Sequence, residues 1–149
     1  MIREPIYAAL FSKMNALTVA GGGTAFKSAS RRFRVFSDVA PPDQPALFMV
    51  VKNETARSTQ PLNIIWTIKV DLVIYVNARI DSKSPVGPIL NPILDAIEGS
   101  FNYNTSPISN RDTLGGLVKS CSIEGPIEID ESINGDQAIA VIPIEIEVL

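Results

Sequence analysis

The chain has 149 residues, of which 46% are hydrophobic and 19% charged, with a net charge of −3. That length is one domain's worth and large enough for a core of its own. The acidic balance, with a pI near 4.9, argues against the protein as a whole wrapping duplex DNA. The absence of histidine excludes Ser–His–Asp and Cys–His catalysis, imidazole metal ligation and the commonest general base near neutral pH.

Arg3 to about Ala20 reads as an amphipathic helix, with Ile6, Tyr7, Leu10, Phe11, Met14 and Leu17 at helical spacing. Pro5 is tolerated in the first turn, Glu4 favours the helix dipole, and Gly21–Gly23 ends the helix in a flexible loop. Ser30 to Ser37 reads as a strand with Phe33 and Val35 on one face and Arg32, Arg34 and Phe36 on the other. Pro41, Pro42 and Pro45 make the following stretch an irregular connection. Ala46 to about Asn53 is a further strand, and the polar run Glu54–Leu62, which contains Pro61, reads as a hairpin tip.

The stretch from Asn63 to Asn77 dominates the pattern. Its even positions, from Ile64 to Val76, are all apolar, and its odd positions include Thr67, Lys69 and Asp71. A period of two places the even set on one face of a pleated strand, and the β-branched and aromatic content agrees. At about 3.3 Å per residue, Ile64–Val76 spans roughly 40 Å, long for a small domain. The odd face also carries Ile65, Val73 and Tyr75, which predicts a second buried surface, such as a partner subunit.

Asp81 to Val86 reads as a loop and Pro88 to about Phe101 as a second helix, buried along Ile89, Leu90, Ile93, Leu94, Ile97 and Phe101, with Pro92 one turn in. Asn102 to Thr113 reads as a loop and the segment most prone to disorder. Leu117–Asp130 and Gln137–Leu149 are the last strand segments, joined at Asn134-Gly135, a hairpin signal because both residues tolerate positive φ. Ala138, Ala140, Ile142, Ile144, Ile146 and Val148 share a face, opposite Glu145 and Glu147; Pro143 lacks a donor, so this strand is expected at a sheet edge or bulged. The order of elements predicts an α+β fold: a mostly antiparallel twisted sheet with a long β-hairpin, and two helices packed on one face, in a single domain over residues 1–149.

The candidate chemical motifs are weak. Gly21–Ser28, GGGTAFKS, places Phe26 where a phosphate loop needs its second glycine, and it follows a helix rather than a strand. Asp130, Ser132, Asn134 and Gly135 mimic the start of a calcium loop, but its twelfth position is Val141. Glu124, Glu128, Asp130, Glu131 and Asp136 read as an acidic rim before they read as a metal or glycosidase site. No serine precedes a lysine by three residues. Cys121 is the lone cysteine, expected as a buried structural thiol, and excludes an intrachain disulfide. No apolar run approaches the ~18–20 residues that cross a bilayer, and Glu4, Pro5 and Lys13 spoil a signal peptide, so synthesis and residence in the cytoplasm are expected. These features predict no enzyme, no cofactor and no metal.

Three segments resemble one family. MIREPIYAALFSKM is similar to the opening of small tail proteins of long-tailed bacteriophages, and SDVAPPDQPALF resembles the linker between their first two strands. The third part is NPILDAIEGSF with TLGGLVKSCSIEGPIEIDES and GDQAIAVIPIEI, so that the likeness covers most of the chain in order. The family resembled is the tail terminator, or tail completion (minor tail protein U-like), group. The resemblance implies a virion protein of the tail and neck region, assembled in the host cytoplasm. It implies a six-membered ring of this chain on the last tube ring, which stops tube growth and offers the head-joining surface. The implied partners are further copies of itself, the tail tube protein, a head-completion or neck protein and, where the tail contracts, a sheath terminal ring. DNA would pass through the lumen without sequence-specific binding, and there is no membrane partner. The family brings no catalytic residues to carry over. A ring closed by head-to-tail contacts needs two different patches per subunit. The pattern nominates Ile65, Val73 and Tyr75, the Glu54–Leu62 tip with Thr55 and Arg57, and the basic knot Arg31, Arg32 and Arg34. The alternatives are a head-closure or neck connector protein and a small ligand-binding module.

Overall fold

The computed structural model describes residues 1–60, 63–78, 85–101, 112–133 and 136–149. In chain order these form α1 (Arg3–Asn15), β1 (Ser28–Ser30), β2 (Ala46–Gln60), β3 (Asn63–Asn77), α2 (Gly87–Ser100), β4 (Ser120–Ile123), β5 (Glu128–Ile133) and β6 (Gln137–Val148). The strands make one twisted sheet in the order β1-β2-β3-β6-β4, with β5 also paired to β6. Among the described strands only β1–β2 is parallel, and the other pairings are antiparallel. The fold is therefore α+β, as the order of elements predicts.

The alternation in β3 explains the two layers. Ile68, Val70, Leu72, Ile74 and Val76 are fully buried, and they share a core with Leu47 and Met49 of β2 and the even positions of β6. Both helices close this face: α1 contributes Ile6, Tyr7, Leu10 and Met14, and α2 contributes Leu90, Ile93 and Ile97, followed by Phe101. Each such aliphatic side chain contributes about 1.5–3 kcal/mol by leaving water, which outweighs weak local propensity. Pro92 lies inside α2, past its first turn, and the buried Ile93 and Ile97 carry the helix on beyond it.

Several boundaries differ from the sequence-based expectation. The first helix stops at Asn15 rather than near Ala20, because Leu17–Ala25 folds back on itself: Thr18 bridges Thr24, and Gly21, Gly22 and Gly23 turn the chain with positive φ. Of the expected strand Ser30–Ser37 only Ser30 is in a strand, as the last residue of the three-residue β1; the chain then runs without strand pairing and enters a 3-10 turn at Phe36–Asp38. Glu54–Gln60 is not a tip but the outer half of β2, paired across Thr55–Thr67, Arg57–Ile65 and Gln60–Asn63. The expected strand Leu117–Asp130 is broken into β4 and β5 around Gly125, whose φ is +119°.

Pro143 sits in a central strand, not an edge, since β6 pairs with β3 on one side and with β4 and β5 on the other. Its carbonyl accepts the Glu124 N–H, so its own donorless nitrogen faces the same side, where β4 has ended and β5 has not begun. The missing donor therefore falls in a gap. Asn134 and Gly135, most of the Asp81–Val86 loop and most of the Asn102–Thr113 loop lie outside the described residues.

Candidate interaction surfaces

The face of the sheet away from the helices is only partly covered. Val39, Ala46, Phe48, Val73 and Tyr75 form a second, smaller core there, with Phe36, Val50, Ile139 and Val141 packed against it. The cover is the chain's own segment after β1. Phe36 meets the Tyr75 ring edge-on at 5.1 Å, and Phe33 meets Phe48 at 6.0 Å. The Tyr75 hydroxyl donates to the Arg34 carbonyl at 2.7 Å. Burial also raises the Tyr75 pKa, so this phenol stays a donor. The nomination of Val73 and Tyr75 as partner-facing is thus corrected: both are buried within one chain, at 8% and 2% exposure. The second apolar face of β3 is covered by the chain itself at Val73 and Tyr75.

Beside this cluster the cover stops. Phe33, Val50, Lys52, Asp71, Val73 and Val141 border an open hollow of about 410 Å³, in which Lys52 and Asp71 pair at 3.5 Å. Phe33 stands half-exposed at its rim, and Val35 is half-exposed two residues on.

Beyond Trp66 the sheet narrows to two strands, because β6 begins its pairing with β3 at Trp66–Val148. Among the described strands, the outer parts of β2 and β3 therefore have each other as partners and form an arm. Thr55, Ala56, Arg57 and Ser58 are exposed, Ile64 is 52% exposed, and Ile65 is half-buried. Ile65, Thr55 and Arg57 share one face of this arm, by the Thr55–Thr67 and Arg57–Ile65 pairings.

Glu54 anchors the arm to α1. Arg3 Nε donates to it at 2.6 Å, the Tyr7 hydroxyl donates to its other oxygen, and the Arg3 guanidinium lies 5.3 Å over the Trp66 ring. The Tyr7 hydrogen bond, and then Arg3, hold the Glu54 carboxyl below its ordinary range. Burial first, and then Glu54, push the Tyr7 phenol up to about 12. Glu54 was placed by sequence only within a tip; the pairing of a carboxylate with Tyr7 and Arg3 needed the tertiary structure to be seen.

The basic knot is split between tasks. Arg31 forms a forked pair with Glu4 of α1, one arm at 3.1 Å, which lowers the Glu4 pKa and raises that of Arg31. The Arg34 guanidinium donates to the Asp38 carbonyl. Arg32 is exposed. Arg31, Arg32 and Phe33 line a groove of about 510 Å³ along Met49–Val51, where β2 continues past the end of β1.

On the opposite side of the sheet, Glu124, Glu128, Asp130 and Glu131 are exposed on β5 and the turn before it. Among the described residues, no group of three His, Cys, Asp or Glu side chains could hold a metal ion. Gly21–Lys27 joins a helix to a strand through positive-φ turns, the reverse of the order a phosphate loop needs. No helix among the described residues is long and apolar enough to cross a membrane. Cys121 is fully buried, and burial pushes its thiol up to about 12.

The chain matches no family model and no curated protein.

Proposed function

We propose that this chain is a structural subunit of a bacteriophage tail: a terminator that closes into a ring on the last tube ring, stops growth of the tube and presents the surface that joins the head. The observation that carries the reading is the two-stranded arm. It holds Ile64 in water, and among the described residues no third strand pairs with it, although β3 is a 15-residue strand buried along Leu72–Val76. An isolated two-stranded ribbon is marginal in water, which favours a neighbour on the arm. The segmental resemblance to tail terminators supplies the identity of that neighbour: further copies of the chain, and the tail tube protein.

On this reading the mechanism is geometric. One end of the ring covers the surface on which another tube ring would add. The other end is chemically different and receives a neck protein. Thr55 and Arg57 on the arm with the half-buried Ile65, and Arg31, Arg32 and Arg34 after β1, are the nominated contacts that stand at the surface of the single chain. DNA passes the lumen without being read.

The test is genetic. A phage lacking this chain should make tails of uncontrolled length, measured by electron microscopy. Tails of normal length that fail to join heads would instead identify a head-closure or neck protein.

A further inference from the structure

We infer that the two outer edges of the sheet are complementary and that the open edge of β2 receives β5 of a second copy of this chain, head to tail. β1 covers β2 only along Ala46–Phe48, so no strand among the described residues pairs with that edge beyond Phe48. Among the described residues, the one strand that pairs with β5 is β6. Unpaired strand edges present rows of backbone donors and acceptors that template a further strand.

Four independent features agree on this pairing. The first is polarity. β2, β3, β6 and β5 alternate in direction, so a copy set beside another in the same orientation brings β5 antiparallel to β2, the arrangement of almost all the sheet. The second is charge. The β2 edge carries Lys52 and Arg57 with Arg32 beside it, whereas residues 120–149 contain Glu124, Glu128, Asp130 and Glu131 and no lysine or arginine. Opposite charges on the two edges favour the head-to-tail contact, and like charges oppose β2–β2 or β5–β5 contacts.

The third is facing. Glu128 and Asp130 lie opposite Val141 and Ile139, on the face away from the helices. Arg57 lies opposite Ile65 on that same face, and Lys52 borders the hollow there. The fourth is apolar. Val51 lies opposite Val70, and Ile129 opposite Ala140, both on the helical face; they are 41% and 47% exposed. A sheet continued from one copy to the next would set Val51 and Ile129 side by side. A contact of one edge with a different edge is heterologous, and it forms a ring where the rotation between successive copies closes.

This assignment deepens the ring reading above and rests on it only for the idea that rings form. The test is a disulfide ladder. A chain carrying Val51→Cys and Ile129→Cys, oxidised both as concentrated purified protein and within the assembled particle, should give linked dimers, trimers and higher species. Each single variant should give no species beyond a dimer. The buried Cys121 stays out of the chemistry. Lys52→Glu or Glu128→Lys alone should weaken self-association about tenfold, because the Val51–Ile129 register sets residues 52 and 128 opposite each other, and mixing the two variants should restore it. No ladder in either preparation, or a ladder insensitive to both charge reversals, would overturn the inference. Tail length in the deletion phage is a separate outcome: normal tails with an intact ladder would remove the terminator reading and leave the interface standing.

Discussion

The Tyr75 hydroxyl donates to the Arg34 carbonyl at 2.7 Å, and so ties the longest strand to the loop that crosses it. Two residues nominated as partner contacts thereby satisfy each other within one chain. Tyr75→Phe should cost about 0.5–1.5 kcal/mol, the net worth of one neutral hydrogen bond. Tyr75→Ala should cost about 3–5 kcal/mol, because it empties the site between Phe36 and Phe48. Urea unfolding of the two variants measures both.

Glu54 makes stability depend on pH. Its folded pKa lies below the ordinary value of 4.5, so its contribution is present above that value and is lost as pH falls through the folded pKa. Glu54→Gln should lower stability at neutral pH and flatten the loss seen on acidification below about pH 5. Tyr7→Phe should weaken the same contact and leave Arg3 as the remaining partner. Thermal unfolding between neutral and acidic pH reads the slope for each protein.

Cys121 should be silent toward alkylating reagents in the native state. The thiol is fully buried and its pKa is pushed up to about 12, so the thiolate is scarce at pH 8. Labelling should appear only as urea unfolds the chain, with the same midpoint as fluorescence. Fast labelling of the native protein would mean that β4 opens independently of the core.

Gly125 should resist substitution. Its φ of +119° disfavours any L side chain, and an added Cβ would sit 3.3 Å from Pro143 Cγ. Gly125→Ala should destabilise by about 1–3 kcal/mol through the strained backbone alone. Gly22→Ala has a positive φ but open space around it, and serves as the comparison for backbone strain without the Pro143 contact.

The legibility of this fold in the sequence followed the strength of local patterns. β3 has the bounds its strict alternation implies, because a period of two sustained from Ile64 to Val76 admits one conformation. The even face of β6 was equally plain, as was α2 at Leu90, Ile93, Ile97 and Phe101, whereas Ile89, expected on the buried side, is 37% exposed. The misreadings arose where a neighbour decided the outcome. Phe33 and Val35 alternate like a strand, yet β2 leaves that segment unpaired and Tyr75 takes its carbonyl instead. Glu54–Gln60 has turn-like composition, but β3 holds it as a strand. Pro143 is tolerated in mid-sheet only because β4 and β5 part beside it. For the candidate contacts, the apolar surplus of β3 was readable, but one chain's residues do not say which polypeptide covers them. Val73 and Tyr75 are covered internally; Ile65 and Arg57 are carried out on the arm.

The position of this chain in the assembled particle decides whether it caps the tail tube as a ring. A reconstruction of the phage at side-chain detail should place six copies in one ring on the last tube ring, with the arm against a neighbour. A particle without this chain, or one holding it as separate subunits with Ile64 and Ile65 in open solvent, would contradict the ring reading.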